Sequence, residues 1–212
     1  MHLPDGFLSA PVWIGCAAVS AGAVALAAAK AGISKDEKKI PLMGVTAAFI
    51  FAAQMVNFPI ASGTSGHLVG GALAALLLGP WASILVMAAI LMVQALVFQD
   101  GGITALGANI LNMGVAGAAC GWAAGLIRRL IPGIPGAAAA GFVGGLLAVE
   151  AGAALASLQI ALSGTAPLGV VIAPLTAVHA LIGLVEGTIT AAAFAFIAKA
   201  RPELATIRGG AQ

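Results

Sequence analysis

The chain has 212 residues, of which 61% are hydrophobic and only 8% are charged, and its formal net charge is +2. A soluble globular domain carries about 25% charged residues, so this chain has too few charges to cover a surface that faces water. We therefore predict a single integral membrane domain over residues 1–212. Its uninterrupted apolar runs favour an all-α protein over a β-barrel, whose strands alternate polar and apolar residues.

Apolar runs close to the length of about 20 residues that crosses a bilayer recur along the chain. They predict about seven transmembrane helices, at residues 11–31, 41–58, 67–78, 80–98, 108–130, 136–162 and 175–199. Residues 59–66 are rich in Ser, Thr and Gly and are predicted to be irregular. Residues 168–174, which end at Pro174, are predicted to be a loop or a broken helix.

The third predicted helix is too short to span a bilayer. About 12 residues make about 18 Å of helix, whereas the hydrocarbon core is about 30 Å thick. Irregular backbone at that depth is tolerated only where it is buried in protein or lines a cavity. Residues 62–67 are therefore expected to line a pit that opens at the outer face, and broken helices of this kind often mark substrate sites in transporters.

The positions of the basic residues indicate an orientation. With seven spans and the N-terminus outside, all nine Lys and Arg residues fall at cytoplasmic ends, as the positive-inside rule requires. An even number of spans would put either the N-terminal lysine cluster or the C-terminal tail on the wrong side. We thus predict an outer N-terminus and a cytoplasmic C-terminus. The nine residues are Lys30, Lys35, Lys38, Lys39, Arg128, Arg129, Lys199, Arg201 and Arg208.

Two of the three histidines, His2 and His67, fall on the outer side of this topology. The opening residues lack a signal-peptide pattern, and His2 is too bulky for enzymes that trim an initiator methionine, so Met1 is expected to stay. The Met1 amine, the His2 amide nitrogen and the His2 ring Nδ1 can then chelate one metal ion. A nitrogen from His67 would complete a flat arrangement that suits Ni(II) or Cu(II). An exposed terminal His2 and a packing role for His67 stay open as alternatives.

Ionisable residues inside the helices offer a second hypothesis. His179 and Glu186 share a face of the last helix, and Glu150 lies in the middle of the sixth. A proton relay through these three would make the chain a stand-alone, proton-coupled metal carrier. Asp5 is expected to shape the turn that sends the N-terminus back into the pit, and to be a candidate acceptor for a metal-bound histidine. Further candidates, each also expected to form helix–helix hydrogen bonds, are Gln54, Asn57, Ser62, Thr64, Ser65, Gln94, Gln99, Asn109 and Asn112.

The opening sequence MHLPDGFLS and the stretch SGTSGHLVGG at residues 62–71 together resemble the CbiM/NikM family. Members of that family are the substrate-capture (S) components of energy-coupling factor (ECF) transporters for cobalt and nickel. The resemblance covers nearly the whole chain and implies that Met1, His2 and His67 hold the metal. Leu3 replaces the more usual Ile, which is a conservative change. The implied cargo is Co(II) or Ni(II), and no resident cofactor is expected.

The resemblance also implies partner proteins. The chain has no Gly-x-x-x-x-Gly-Lys-Ser/Thr phosphate loop, so we expect a transporter subunit rather than an enzyme. The implied partners are ECF ATPase subunits, a transmembrane coupling (T) subunit and a small accessory membrane subunit, in a bacterial or archaeal cytoplasmic membrane and with no nucleic acid. The first helix has a smooth face of small residues that would pack closely against the coupling subunit or within this chain. These are Gly15, Ala17, Ala18, Ala21, Gly22 and Ala25.

Overall fold

The computed structural model describes residues 2–33, 39–56, 58–60 and 64–204. Within these residues the helices are α1 (Ala10–Lys30), α2 (Lys39–Gln54), α3 (Gly71–Leu78), α4 (Pro80–Phe98), α5 (Leu106–Leu130), α6 (Gly133–Leu162) and α7 (Leu168–Ala200). Two short strands, β1 (Phe58–Ile60) and β2 (Thr64–Gly66), lie between α2 and α3. A single turn of 3-10 helix, Pro202–Leu204, follows α7.

Five of the described helices, α1, α4, α5, α6 and α7, are long and apolar enough to cross a membrane. Helix α2 is apolar but has 16 residues, and α3 has eight. The chain is therefore a multi-pass membrane protein, and the predicted helical fold class is confirmed. The count of seven spans and the orientation of the two termini remain predictions.

The short helix α3 forms the centre of the fold. All eight of its residues are buried, and it packs against α4, α5 and α6. About 12 Å of helix at 1.5 Å per residue cannot cross the bilayer, so its ends are covered by neighbouring protein. Helices α6 and α7 pack against each other along much of their length, and α1 contacts α4 and α5 at one side.

The segment predicted to be irregular between α2 and α3 contains a two-stranded antiparallel hairpin. Phe58 pairs with Gly66, Pro59 with Ser65, and Ile60 with Thr64. The prediction that the second helix continues to residue 58 is therefore wrong, because Phe58 lies in β1. Backbone groups that face one another across a ladder satisfy each other, which an irregular segment in an apolar environment cannot do.

The prediction of a loop or broken helix over residues 168–174 is also wrong, because α7 is continuous from Leu168 and includes Pro174. Proline removes one backbone donor from a helix, which costs about 3 kcal/mol in an exposed helix interior. Here Val171 and Leu175, one turn apart, are both buried in a cluster with the N-terminal segment. This packing holds the first turns helical, and membrane helices tolerate such prolines when neighbouring groups support them.

Most of the other helix starts also differ from the prediction by a few residues. Helix α1 begins at Ala10 rather than residue 11, and α2 at Lys39 rather than residue 41. Helix α3 begins at Gly71 rather than residue 67, because Gly70 has a left-handed backbone (φ 76°) that interrupts the helix. Helix α5 begins at Leu106 instead of residue 108. Helix α6 begins at Gly133, since Pro135 falls in its first turn, where a missing N–H leaves no bond unmade.

Candidate metal site

The N-terminal segment, residues 2–9, lies against the ends of α5, α6 and α7. The Leu3 side chain is fully buried and that of Leu8 is 8% exposed. Burying a leucine from water stabilises by about 1.5–3 kcal/mol, which is enough to hold a short segment in place. Their cluster also contains Ala105, Ala108, Ala156, Ile160, Val171 and Leu175.

Hydrogen bonds fix the backbone of this segment. Leu3 N–H donates to Asn109 Oδ1 at 2.8 Å, and the Leu3 carbonyl accepts from Asn109 Nδ2 at 3.1 Å and from Gly102 N at 2.9 Å. Gly102 must be a glycine for this approach, because a Cβ there would lie 2.3 Å from Asp5 N. The side chain of Asn109 thus anchors the residue that follows His2.

Asp5 ties the segment to the loop between α4 and α5. Its carboxylate accepts hydrogen bonds from Ile103 N, Thr104 N and the Thr104 hydroxyl. These contacts, with the Thr104 hydroxyl as the largest cause, lower the pKa of the Asp5 carboxyl below its ordinary value against a smaller opposing effect of desolvation. Asp5 therefore shapes the return of the tail, and its described hydrogen bonds go to this loop rather than to a histidine ring.

The structure brings His2 and His67 together. Their ring centroids lie 4.4 Å apart and their planes are inclined by 21°, so the imidazoles are stacked. His2 is 4% exposed and His67 is 1% exposed. Met1, the third residue predicted at this site, lies outside the described residues.

Several ring nitrogens at this pair are buried without a hydrogen-bond partner among the described residues, namely His67 Nε2 and both nitrogens of His2. His67 Nδ1 lies 2.7 Å from the Leu68 carbonyl, so it carries the proton and leaves a lone pair on Nε2. His2 Nδ1 lies 3.0 Å from Asp100 Oδ1, although this contact does not meet hydrogen-bond geometry. Buried polar atoms are normally paired, so unpaired ones point to a ligand.

The described residues do not form a complete protein metal cage by side chains alone. Among residues 2–33, 39–56, 58–60 and 64–204, no group of three or more His, Cys, Asp or Glu side chains converges to hold an ion. The geometry supplies two imidazoles with one carboxylate beside them.

The segment that carries His67 is bound to surrounding helices through its backbone. The Val69 carbonyl accepts from Gln54 Nε2 at 2.6 Å, and Gln54 Oε1 in turn accepts from Gln94 Nε2 at 2.9 Å. Glu186 of α7 accepts from the N–H groups of Val69 and Gly70. All of these side chains are buried.

The residues proposed for a proton relay do not form one chain of contacts. His179 is fully buried and its Nδ1 lies 2.7 Å from the Leu175 carbonyl, while Glu186 bonds to the segment after His67. Glu150 is partly buried, and its Oε1 has no hydrogen-bond partner among the described residues. Among the residues that the structure describes, no hydrogen bond or ion pair joins Glu150 to His179 or Glu186.

The other polar candidates have different roles. The site is supported by Asn109, Gln54 and Gln94. Asn112 instead pairs reciprocally with Gln159 at 2.8 and 2.7 Å, which joins α5 to α6. Gln99 adopts a left-handed backbone in the turn after α4. Asn57 and Ser62 lie outside the described residues, and Thr64 and Ser65 are described only as backbone in β2.

Two carboxyl groups near the site, those of Asp100 and Glu186, were not predicted to belong to it. A carboxyl group inside an apolar helix was the available signal for Glu186, because such groups are costly unless they have a function or a partner. For Asp100, the signal was its place beside two glycines on the side where His2 and His67 were expected.

A cavity of about 410 Å³ lies beside His67 between α2 and α7. Apart from His67, its walls are aliphatic, with Ala53 on α2, Val56 just after α2, Leu68 beside His67, and Leu181, Ile182, Val185 and Ile189 on α7. This cavity offers an ion no second side-chain ligand among the residues that line it. The polar contacts of the site are therefore concentrated on the side of His2.

Comparison with known proteins connects this arrangement to metal transport. The family model described as the cobalt uptake substrate-specific transmembrane region, CbiM, matches residues 2–204. A protein of Archaeoglobus fulgidus, provisionally named fused nickel transport protein NikMN, is 44% identical over 211 residues, which are 96% of this chain and 68% of the relative. The cobalt transport protein CbiM of Sorangium cellulosum is 35% identical over 216 residues, covering 96% of this chain and 94% of that protein.

A solved structure supports the same relationship at the level of the fold. The crystal structure of a truncated transition metal transporter superposes with a TM-score of 0.85 at 31% sequence identity, and the match covers 94% of this chain and 99% of that one. The resemblance seen in the opening motif and at residues 62–71 is thereby confirmed. The chain belongs to the CbiM family of substrate-specific membrane proteins for cobalt uptake.

Proposed function

We propose that the protein is the substrate-specific S component of an ATP-driven ECF importer and binds Co(II) or Ni(II) from the outer side of the membrane. The observation that carries this proposal is the buried, stacked pair of His2 and His67, which brings two imidazole rings together beside the segment that Asn109 holds. Two buried imidazoles with lone pairs in one small volume are suited to a borderline transition-metal ion.

The proposed ligands are the Met1 amine, the His2 amide nitrogen, His2 Nδ1 and His67 Nε2. The amine and amide of a terminal dipeptide close a five-membered chelate ring, and the amide and Nδ1 close a six-membered one. The contact of His67 Nδ1 with the Leu68 carbonyl supports Nε2 as the donor atom of that ring. Four nitrogens in a plane suit Ni(II), while the names of the relatives include both cobalt and nickel transport.

Asp100 adds negative charge to the proposed site. Its Oδ1 lies 3.0 Å from His2 Nδ1, the ring atom assigned to the metal. A carboxylate close to a bound divalent cation offsets charge in an environment of low dielectric constant, where unbalanced charge is costly. Because amine and imidazole must lose protons to bind, metal binding is expected to weaken in acid.

The free amine is tested by adding two residues before Met1. Titration calorimetry with nickel sulfate should show tight binding to the unextended protein and none to the extended one, while both elute as monodisperse particles in detergent. The matched control adds the same two residues after Gln212. Unchanged tight binding by the N-terminally extended protein would remove Met1 from the site.

Partner subunits are proposed for energy coupling. On α1, Gly15, Ala18 and Gly22 are exposed, and nothing in the described residues lies within 4 Å of a Cβ built on either glycine. This smooth face would admit a closely packed helix of a coupling (T) subunit, with two ATPase subunits bound to that subunit. The fused name of the Archaeoglobus relative supports a small accessory membrane subunit as a further partner.

Reconstitution separates this proposal from the stand-alone carrier. Vesicles that contain only this protein should take up no nickel when a proton gradient is imposed, and uptake should require the coupling and ATPase subunits together with ATP. Gradient-driven uptake by the protein alone, abolished in Glu150→Gln or Glu186→Gln, would instead establish the carrier that uses Glu150, His179 and Glu186.

A further inference from the structure

Glu186 makes two hydrogen bonds from α7 to the segment that carries His67. Its Oε2 accepts from Val69 N at 2.8 Å, and its Oε1 accepts from Gly70 N at 2.8 Å. The residue is 2% exposed. One carboxylate thus holds two successive backbone N–H groups at a point two and three residues after His67.

These N–H groups need a partner from outside their own segment. They lie between β2 and α3, where neither a ladder nor a helix accepts from them, and Val69 is fully buried. A buried N–H left without a partner costs about 1–3 kcal/mol. Gly70 has φ 76°, and a Cβ there would lie 2.5 Å from the Ile50 side chain, so the chain has little freedom to turn elsewhere.

The restraint passes from Glu186 to the His67 ring in short steps. Glu186 holds the amides of Val69 and Gly70, Gln54 holds the Val69 carbonyl, and the Leu68 carbonyl lies 2.7 Å from His67 Nδ1. The carbonyl that contacts the His67 ring belongs to the Leu68–Val69 peptide, whose N–H is bonded to Glu186. The next peptide, Val69–Gly70, is bonded at both its carbonyl and its N–H. By this route a change at Glu186 would reach the ring without any contact between Glu186 and the ion.

We propose that Glu186 is a positioning residue for metal capture, which sets the angle at which His67 Nε2 meets the ion. This inference rests on the proposed function. It assigns Glu186 to the geometry of the site and not to proton transfer. Partners that orient a metal-binding histidine typically change metal affinity by about 10–100-fold when they are lost.

The test compares the full-length wild-type protein with Glu186→Gln in detergent, with nickel sulfate as the probe. A glutamine offers one oxygen and one NH2 group, so one of the two backbone N–H groups would face a donor. Titration calorimetry should show about 10–100-fold weaker binding. The visible absorption band of planar, four-nitrogen Ni(II) should shift or weaken in the variant, which a loss of general stability would not produce.

Glu150→Gln is the matched control, since it removes another carboxyl from a neighbouring membrane helix without touching the segment after His67. Its affinity and spectrum should equal those of the wild type. Glu186→Asp is the second variant in case Glu186→Gln fails to fold, because it keeps the charge but withdraws the carboxylate from the two amides. It should show the same change in the nickel band.

Wild-type affinity and an unchanged band in a folded Glu186→Gln or Glu186→Asp protein would overturn the positioning role and leave the proposed function intact. Absence of both nickel and cobalt binding by the wild type would instead overturn the proposed function, and with it this inference.

Discussion

His67 and His179 share local geometry but differ in their surroundings. Each ring has Nδ1 at 2.7 Å from a backbone carbonyl, and each has a buried Nε2 without a hydrogen-bond partner among the described residues. The difference is that the His2 ring stacks on His67 at 4.4 Å. Its position against the N-terminal segment, and not its burial or tautomer, is the reason that we propose His67 rather than His179 as a metal ligand.

Replacing each of these histidines by alanine tests the assignment. His67→Ala should lower nickel affinity by more than about 100-fold, since loss of a ligand exceeds the effect of losing an outer partner. His179→Ala should retain binding within a few-fold. Titration calorimetry on both folded variants gives the comparison, and equal losses would move the site toward α7.

Asp5 makes the docking of the N-terminal segment sensitive to acid. Hydrogen bonds lower the pKa of its carboxyl. The stabilisation that they give the folded protein is therefore complete above the ordinary carboxyl pKa of about 3.9, and it is lost as the pH falls through the lowered pKa. Asp5→Asn should lower the thermal midpoint at pH 7, and its difference from the wild type should vanish in strong acid. Thermal unfolding in detergent from pH 7 down to about pH 1 measures this, and a difference independent of pH would contradict it.

The residues that we propose as metal ligands could be predicted from the sequence, but their supporting contacts could not. His2 stands beside the amine, and His67 begins an apolar stretch after a Gly- and Ser-rich one, so both are marked by position along the chain. Asp100 lies beside His2 although the two residues are about 100 positions apart in the sequence. Glu186 accepts a hydrogen bond from Val69 across a sequence separation of 117 residues. Such contacts follow from how helices pack, and no local pattern encodes them.

At the scale of elements, the N-terminal segment depends on α5 for its position. Asn109 makes two hydrogen bonds to the backbone of Leu3, at 2.8 and 3.1 Å. Each contributes about 0.5–1.5 kcal/mol, so together they determine how often the segment is docked. The π-helical turn Ile110–Val115 follows Asn109 directly, and turns of this kind often occur at functional sites.

Asn109→Ala should release this segment and lower the apparent nickel affinity about tenfold, which corresponds to about 1.4 kcal/mol. Asn112→Ala is the control, because Asn112 lies one turn further along α5 and bonds to Gln159 instead. It should keep the wild-type affinity. An equal loss in both variants would indicate a general effect of α5 packing rather than an anchor for the N-terminal segment.

Periodicity and length predicted the long helices well because an apolar run in lipid has little alternative to helix. They failed where long-range packing decides the backbone. Pro174 argued for a break, but burial of Val171 and Leu175 against the N-terminal segment keeps α7 helical. The β1–β2 hairpin was missed because its strands are three residues each, too short to show alternation.

At the scale of the whole molecule, the basic residues that the structure describes lie at one end. Lys30 lies 5.1 Å from the Trp81 ring and so joins the end of α1 to the start of α4, and Arg128 lies 5.4 Å from the Phe194 ring near the ends of α5 and α7. The Lys39 ammonium group donates to the Ala31 carbonyl at the same end of α1. This distribution agrees with the predicted cytoplasmic side, and His2 belongs to the segment at the opposite end of α1.

The open face of α1 predicts a separation between capture and coupling. Gly22→Phe should abolish co-purification with the coupling subunit, because a large ring prevents close helix approach. Nickel binding by the isolated protein should be unchanged. Leu181→Phe, at a side chain that is 67% exposed on α7, is the control and should co-purify normally. Loss of nickel binding in Gly22→Phe would contradict the assigned role of this face.

We propose that an ion is held by nitrogen atoms between the N-terminal residues and His67. Anomalous diffraction from crystals soaked in nickel, recorded on both sides of the nickel absorption edge, shows where the ion lies. We expect one strong peak within coordination distance of His2 Nδ1, His67 Nε2 and the terminal amine. A peak beside His179 and Glu150, with the N-terminal segment away from the ion, would contradict it.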